Sequence, residues 1–188
     1  MVYTLSTTKI LLVEDVPPMR ALTASLLKIF GFRDILLAEN GEEAFSLFKK
    51  DKPDLVITDW FMEPVDGMEL IRKIRQSPES PDPYVPIILM TGFSGRAHIE
   101  EGRDSGMTEF LLKPFNARDL YSRIAQIIEK PRQFVDINDF FGPDRRRRRN
   151  VPHKGTDRRA LPDRVEAEFE SIEVDQIIRD IKDTLKKM

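Results

Sequence analysis

Residues 55–76, LVITDWFMEPVDGMELIRKIRQ, contain the pattern that decides the fold of this chain. A short run of apolar and β-branched residues, 55–58, ends at Asp59, and apolar residues recur at helical spacing from Met68 onward. Four more runs of this kind occur, at residues 10–13, 35–38, 86–90 and 110–112. Both faces of each run are apolar, which is typical of buried parallel strands. The sequence therefore predicts five strands, each followed by a helix.

The segments that follow these runs have helical spacing, at residues 17–30, 41–50, 68–76, 96–104 and 116–129. Asn40 and Asn116 stand where a side chain would cap the second and the fifth helix. Right-handed crossovers between parallel strands place helices on both faces of a sheet. We therefore expect an α/β fold with a doubly wound, five-stranded parallel sheet, formed by residues 1–130.

Length and composition limit the number of domains and the classes of protein to which the chain can belong. The 188 residues exceed one typical domain by a remainder too small for a second large core. Charged residues make up 33%, hydrophobic residues 40%, and the net charge is -2, which is typical of a soluble globular protein and not of a uniformly basic or a disordered one. The absence of cysteine excludes disulfides, thiolate nucleophiles and cysteine-ligated metals. No apolar stretch approaches the roughly 20 residues of a spanning helix, so we expect no membrane insertion and a cytoplasmic location.

Polar side chains follow four of the predicted strands, at the point where each strand ends. Glu14 and Asp15 come after the first run, and Asp59 comes after the third. Thr91 ends the fourth run and Lys113 follows the fifth. In a sheet of this kind the ligand site lies beyond the carboxyl ends of the strands. We therefore expect three carboxylates, a hydroxyl and an ammonium group to converge at one end of the sheet.

This set of side chains favours phosphoryl chemistry. Three carboxylates that lie together repel one another, so a proton or a cation must neutralise them. Carboxylate oxygens with room for water describe a magnesium site. The metal, Lys113 and Thr91 would hold the oxygens of a transferred phosphoryl group. One carboxylate can then act as the nucleophile and form an aspartyl-phosphate.

At these positions the sequence resembles the receiver domain of two-component response regulators, over roughly residues 8–130. The resemblance rests on five fragments in order: Glu14-Asp15, DWFM at residues 59–62, Asp66-Gly67, Thr91-Gly92 and FLLKPF at residues 110–115. It implies the flavodoxin-like receiver fold. The spacing of the five fragments, more than any one of them, makes the resemblance specific.

The resemblance implies a role for each residue. Asp59 would accept a phosphoryl group from a histidine kinase or phosphotransfer protein, while Lys113 and Thr91 hold its oxygens. Phe110 would be the aromatic residue that turns inward when Thr91 is drawn to the phosphoryl group. The protein would then relay the signal to a downstream protein target, without a DNA-binding output domain and without turning over an outside substrate, so we do not expect an enzyme.

The resemblance also implies the magnesium ligands and shows where this chain departs from the family. The metal would be bound by Glu14, Asp15, Asp59 and the carbonyl oxygen of Phe61, with Glu14 acting directly or through water. Glu14 replaces the more common aspartate. Phe61 and Phe93 stand two residues past Asp59 and Thr91, at positions that flank the phosphoryl group in the family, instead of small or polar side chains. We expect these rings to hinder attack by water and to lengthen the lifetime of the acyl phosphate.

A boundary near Pro131 separates a tail of different character. Residues 145–159 hold eight basic side chains against the single acid Asp157, and residues 163–183 hold eight acids against three bases. The tail is predicted to consist of an arginine-rich irregular linker or basic loop, residues 131–163, and a helical segment, residues 164–188. It has too little apolar content for an enzymatic or winged-helix output domain.

The arginines of this tail leave several alternatives open. They are Arg145, Arg146, Arg147, Arg148, Arg149, Arg158 and Arg159. Guanidinium groups bind phosphate or carboxylate in a bidentate manner, so the main rival function is a receiver-like binding module for an anionic nucleotide such as a cyclic dinucleotide. Nucleic acid, the chain's own acidic segment and plain solvation are the other interpretations, and the helical segment allows a homodimer.

Two enzymatic or redox rivals share the fold class. A flavodoxin-like electron carrier needs serine, threonine or glycine after the first strand to hold a flavin phosphate, and this chain has DVPPM at residues 15–19. An aspartate-nucleophile phosphatase needs an acid two residues past Asp59, where this chain has Phe61. The sequence therefore disfavours both.

Overall fold

A computed structural model of the chain describes residues 5–92, 95–137 and 140–144. Within this part, five parallel strands form one sheet in the order β2-β1-β3-β4-β5. The strands are β1 (Lys9–Val13), β2 (Asp34–Ala38), β3 (Leu55–Asp59), β4 (Ile87–Thr91) and β5 (Glu109–Leu112). The change of strand order next to β1 is the switch point that a doubly wound sheet requires. The predicted five-stranded parallel sheet is confirmed.

Five helices alternate with the strands, as predicted. They are α1 (Pro17–Ile29), α2 (Gly41–Asp51), α3 (Gly67–Gln76), α4 (Arg96–Ser105) and α5 (Ala117–Glu129). Asn40 caps α2 by accepting from the N–H groups of Glu42 and Glu43, and Asn116 forms a capping box with Asp119 at the start of α5. None of the described helices is long and apolar enough to cross a membrane.

The core lies in two layers, one on each face of the sheet, because successive strand residues point to opposite faces. On β1, Leu11 and Val13 belong to the layer under α2 and α3, whereas Ile10 and Leu12 belong to the layer under α1 and α5. Strand β3 is buried along its whole length. This two-sided burial leaves the ends of the strands as the place where polar side chains can meet solvent.

An antiparallel hairpin follows α5, and the sequence did not predict it. Its strands are β6 (Phe134–Ile137) and β7 (Phe140–Pro143). The expectation of irregular structure is therefore wrong for residues 134–137 and 140–143. Four-residue strands are too short to show a clear period, and a lone hairpin is marginal unless it packs on something else. Here Phe134 and Phe141 pack against Tyr84, which no local pattern could reveal.

Candidate functional site

The carboxyl ends of the strands bring the predicted site residues to one end of the sheet. Glu14 and Asp15 follow β1, Asp59 ends β3, Thr91 ends β4, and Lys113 follows β5. Glu14, Asp59 and Thr91 are buried, whereas Asp15 is exposed. The backbone N–H of Lys113 donates to the carbonyl oxygen of Thr91 at 2.7 Å, which ties the lysine loop to the end of β4. The roles assigned to these side chains stay predictions.

The ammonium group of Lys113 lies between two of the carboxylates. Its Nζ is 2.7 Å from Oε2 of Glu14 and 3.0 Å from Oδ1 of Asp59. Glu14 is fully buried, and the side chain of Asp59 is 13% exposed. Asp59 is therefore almost covered, whereas its neighbour Asp15 is open to solvent.

The site holds more negative charge than Lys113 alone neutralises. Burial raises the pKa of Asp59 and of Glu14, and the contacts with Lys113 offset this only in part. Burial opposes the charge of Lys113, but its hydrogen bond to Glu14 and the charge of Asp59 outweigh that effect and raise its pKa. Both carboxyl groups bind protons more tightly in the folded chain than in the unfolded chain. The free energy of unfolding of the metal-free protein is therefore expected to decrease as the pH rises from about 4 through the raised pKa values.

The carboxylates fit a magnesium ion. Glu14, Asp15 and Asp59 each offer one oxygen, and these atoms lie within 4.8 Å of one another. Oε1 of Glu14 is buried and has no hydrogen-bond partner in the described part of the chain. A buried oxygen without a partner is costly, and a divalent cation at the cluster would remove that cost. Carboxylate oxygens with one exposed side for water are the donors that magnesium prefers. The carbonyl oxygen of Phe61 as a further ligand stays a prediction.

Replacing Asp15 with asparagine is expected to weaken magnesium binding by about tenfold or more, because one of three anionic ligands is lost. Asp15 is exposed, so the folded structure should persist. Titration calorimetry with magnesium alone measures the effect, and Glu42→Gln, an exposed acid on α2, is the matched control. Equal magnesium affinity in both variants and the wild type would argue against a metal site at this cluster.

The loop after β3 holds Asp59 through close backbone contacts. The N–H of Trp60 donates to Oδ1 of Asp59 at 2.9 Å, and the N–H of Gly67 donates to the carbonyl oxygen of Trp60 at 2.8 Å. A Cβ atom on Gly67 would lie 1.9 Å from the carbonyl oxygen of Asp59. Only glycine therefore allows the loop to close against β3. Sequence reasoning used Gly67 as part of a motif but did not recognise this contact.

Aromatic rings cover one side of the acceptor loop. Phe61 is 53% exposed, and its ring stacks on Trp60 at 5.6 Å between centroids and 9° between planes. Trp60 is buried and meets His98 edge-on at 5.7 Å. Trp60 belongs to the core layer under α2 and α3. Phe93 lies outside the described residues.

Phe110 is half-buried on β5 and packs against the core layer under α2 and α3. The guanidinium carbon of Arg123 lies 5.5 Å from the centroid of its ring. The inward turn of this ring stays a prediction. The seven arginines named for anion binding, Arg145, Arg146, Arg147, Arg148, Arg149, Arg158 and Arg159, and the helical segment 164–188 lie outside the described residues, so those predictions also stand untested.

Comparison with known proteins identifies the class to which this fold and site belong. Residues 10–125 match the response regulator receiver domain, and the chain belongs to this family. The chemotaxis protein CheY-3 of Vibrio cholerae is 33% identical over 122 residues, which cover 65% of this chain and 92% of that protein.

Solved structures agree with this assignment. The chemotaxis response regulator CheY4 of Vibrio cholerae superposes with a TM-score of 0.59 and 27% identity, over 64% of this chain and 98% of that one. The receiver domain of the sensor histidine kinase PA1611 from Pseudomonas aeruginosa gives a TM-score of 0.56 and 30% identity, over 63% and 94% of the two chains. That structure holds a magnesium ion coordinated in its active site cleft. The predicted flavodoxin-like receiver fold is confirmed for the described sheet and helices.

Proposed function

We propose that this chain is a phosphorylation-dependent signalling switch. Asp59 accepts a phosphoryl group from a histidine kinase or phosphotransfer protein, and the phosphorylated chain relays the signal by contact with a downstream protein. The observation that carries the proposal is the position of Lys113 Nζ, within 3.0 Å of both Glu14 and Asp59 beside a cluster of three carboxylates. The match to nearly the whole length of a chemotaxis protein, 92% of it, and the match to the receiver domain of a sensor kinase support a role in two-component signalling.

The proposed transfer is a displacement at phosphorus. A carboxylate oxygen of Asp59 forms the new O–P bond while the N–P bond of the donor phosphohistidine breaks, and the imidazole nitrogen keeps the electron pair. Lys113 exchanges part of its contact with Asp59 for a phosphoryl oxygen, and the hydroxyl of Thr91 donates a hydrogen bond to another. Glu14, Asp15 and Asp59 would hold magnesium, which would supply positive charge to neutralise the negative charge on the phosphoryl oxygens.

The protein takes up one phosphoryl group and does not convert an outside substrate, so we propose a switch and not an enzyme. Its output is a shift between two conformations: Lys113 already lies 3.0 Å from Asp59, and the phosphoryl group favours the arrangement in which the hydroxyl of Thr91 also reaches it. Thr91 ends β4 and Lys113 follows β5, so these strands are the elements that the shift would reach first.

The direct test is phosphotransfer to the full chain. The chain is incubated with a panel of phosphorylated histidine kinases, and separately with acetyl phosphate, in the presence of magnesium. Intact mass is expected to increase by one phosphoryl group, and chelation of magnesium is expected to prevent the increase. No gain in mass from any donor would reject the proposal.

Replacing Phe61 with asparagine is expected to shorten the lifetime of the phosphorylated protein by about tenfold, a change of roughly 1.4 kcal/mol in the barrier. The ring is half-exposed beside the acceptor loop, where it would hinder the in-line approach of water. The half-life of the phosphorylated chain after removal of the donor measures the effect. Leu22→Asn, equally exposed on α1, is the control, and equal half-lives in the wild type and Phe61→Asn would contradict the expectation.

A further inference from the structure

The hairpin β6–β7 docks on the receiver domain through an aromatic cluster at the end of the sheet opposite to Asp59. The ring of Tyr84 meets Phe134 and Phe141 edge-on, at 5.3 and 5.2 Å between centroids. Tyr84 precedes β4, so this cluster lies at the amino ends of the strands. The hairpin is therefore an integral part of the packed structure, although the family match ends at residue 125.

Arg75, at the end of α3, connects the hairpin to the elements around it. Its side chain donates to the carbonyl oxygens of Gly106 at 3.0 Å and Pro83 at 2.8 Å. The ring of Phe134 lies 5.0 Å from the guanidinium carbon and covers it, so that Arg75 is only 4% exposed. Loss of the hairpin would uncover this buried cation and the apolar surface around it.

The second strand of the hairpin lies directly against the end of α4. A Cβ atom on Gly142 would lie 3.0 Å from the Cα of Gly106 and 2.7 Å from the ring of Phe140. Gly106 terminates α4 with φ 98°, a conformation that favours glycine. Two glycines thus allow the backbones of α4 and β7 to touch. Because two backbones are in contact here, β7 cannot keep this contact unchanged if the end of α4 moves.

A third attachment holds the hairpin to β5. Glu109, the first residue of β5, is 5% exposed and pairs with Arg132, which lies two residues before β6. Gln126 of α5 donates to the same carboxylate at 3.2 Å, and Arg123 lies 3.8 Å from it. This buried carboxylate is the point where the chain leaving α5 is fastened to the sheet.

The hairpin therefore contacts the far ends of the elements that carry the phosphoryl-binding side chains. Strand β5 runs from Glu109, held by Arg132, to Leu112, which precedes Lys113. Helix α4 follows Thr91 and ends at Gly106, against β7. A four-residue strand spans only about 13 Å, so a displacement at the Lys113 end of β5 also moves the Glu109 end.

We propose that the β6–β7 hairpin is a phosphorylation-sensitive latch: it docks on the unphosphorylated arrangement of α4 and β5, and a phosphoryl group at Asp59 releases it. The inference rests on the proposed function. Packed interfaces are bistable and do not deform continuously, so a shift of α4 or β5 in either direction breaks the contacts of Gly142 and Arg132. Arg145 follows Asp144 directly in sequence, so the arginine run begins two residues after β7.

Hydrogen exchange of the full chain tests the latch. Exchange at residues 134–143 is measured with magnesium alone and with magnesium plus beryllium fluoride, a stable substitute for the phosphoryl group whose binding is followed by fluorine NMR. We expect exchange in the hairpin to become about tenfold faster, within the range of typical coupling between sites. Exchange at residues 34–38 of β2 serves as the internal control and should not change.

Coupling is reciprocal, which provides a second measurement. Arg132→Ala and Gly142→Ala loosen the latch and are expected to raise the affinity for beryllium fluoride by about fivefold, whereas Arg33→Ala, an exposed arginine before β2, leaves it unchanged. Binding of beryllium fluoride without a change in hairpin exchange or in variant affinity would overturn the latch alone. Absence of any binding by the wild type would overturn the proposed function together with it.

Discussion

Asp59→Asn is expected to lose phosphoryl uptake completely, from every histidine kinase in the panel and from acetyl phosphate. The amide keeps the shape of the side chain but has no anionic oxygen with which to form the O–P bond. It also removes one of the three carboxylates that lie within 4.8 Å of one another, so magnesium binding should weaken as well. Intact-mass measurement after incubation with donor and magnesium gives the result directly.

The same substitution is expected to stabilise the metal-free protein, on the order of 1 kcal/mol in the free energy of unfolding. Burial raises the pKa of Asp59, which means that the fold carries this charge at a cost. Asparagine removes the charge and leaves Lys113 paired with Glu14. Denaturant unfolding at pH 7 with a chelator measures the difference. If Asp59→Asn loses phosphoryl uptake but gains stability, the loss is due to the missing carboxylate and not to damage to the fold.

Asp34→Asn is the matched control, because Asp34 is an exposed aspartate at the amino end of β2, away from the site. It should take up phosphate like the wild type. A mass gain that persists in Asp59→Asn and disappears in another carboxylate variant would assign the acceptor to that other residue.

Gly67→Ala is expected to destabilise the protein by about 3 kcal/mol or more, since overpacking at an unyielding contact has this size. The new Cβ atom would lie 1.9 Å from the carbonyl oxygen of Asp59 and 3.1 Å from the hydroxyl oxygen of Thr58. The first of these is a backbone atom in the fully buried strand β3, which cannot give way. Either α3 moves outward or the acceptor strand is displaced, and both would also impair phosphoryl uptake.

Thermal unfolding measures this effect, and a decrease of about 10 °C in Tm corresponds to the expected loss. Gly92→Ala provides the control, because a Cβ atom at Gly92 meets nothing within 4 Å. Its free energy of unfolding should stay within about 0.5 kcal/mol of the wild type. Equal stability of the two variants would show that the loop after β3 adapts to a larger residue.

The sequence pattern predicted secondary structure correctly wherever the residues of a segment determine its structure by themselves. The five strands end within one or two residues of the predicted positions, because each run of apolar residues gives way to polar or turn residues at its end. The inner strands β1, β3 and β4 are buried on both faces, whereas the edge strands β2 and β5 are partly exposed. Asn40 and Asn116 cap their helices as expected, since a cap depends only on the next two or three residues. The hairpin was not predicted, because its strands are stabilised by packing of Phe134 and Phe141 on Tyr84, which lies about 50 residues earlier in the chain.

The amino-acid sequence by itself determined the βα alternation and the polar residues that stand at the strand ends, because hydrophobic period and chain order are local properties. Only the tertiary structure decided that one ammonium group, that of Lys113, contacts both Glu14 and Asp59, and that Gly67 must lack a side chain. It also decided that the strands β6 and β7 dock at the opposite end of the sheet. These features depend on distances between segments as far apart as the 99 residues that separate Glu14 from Lys113, and such distances exist only after the sheet has formed.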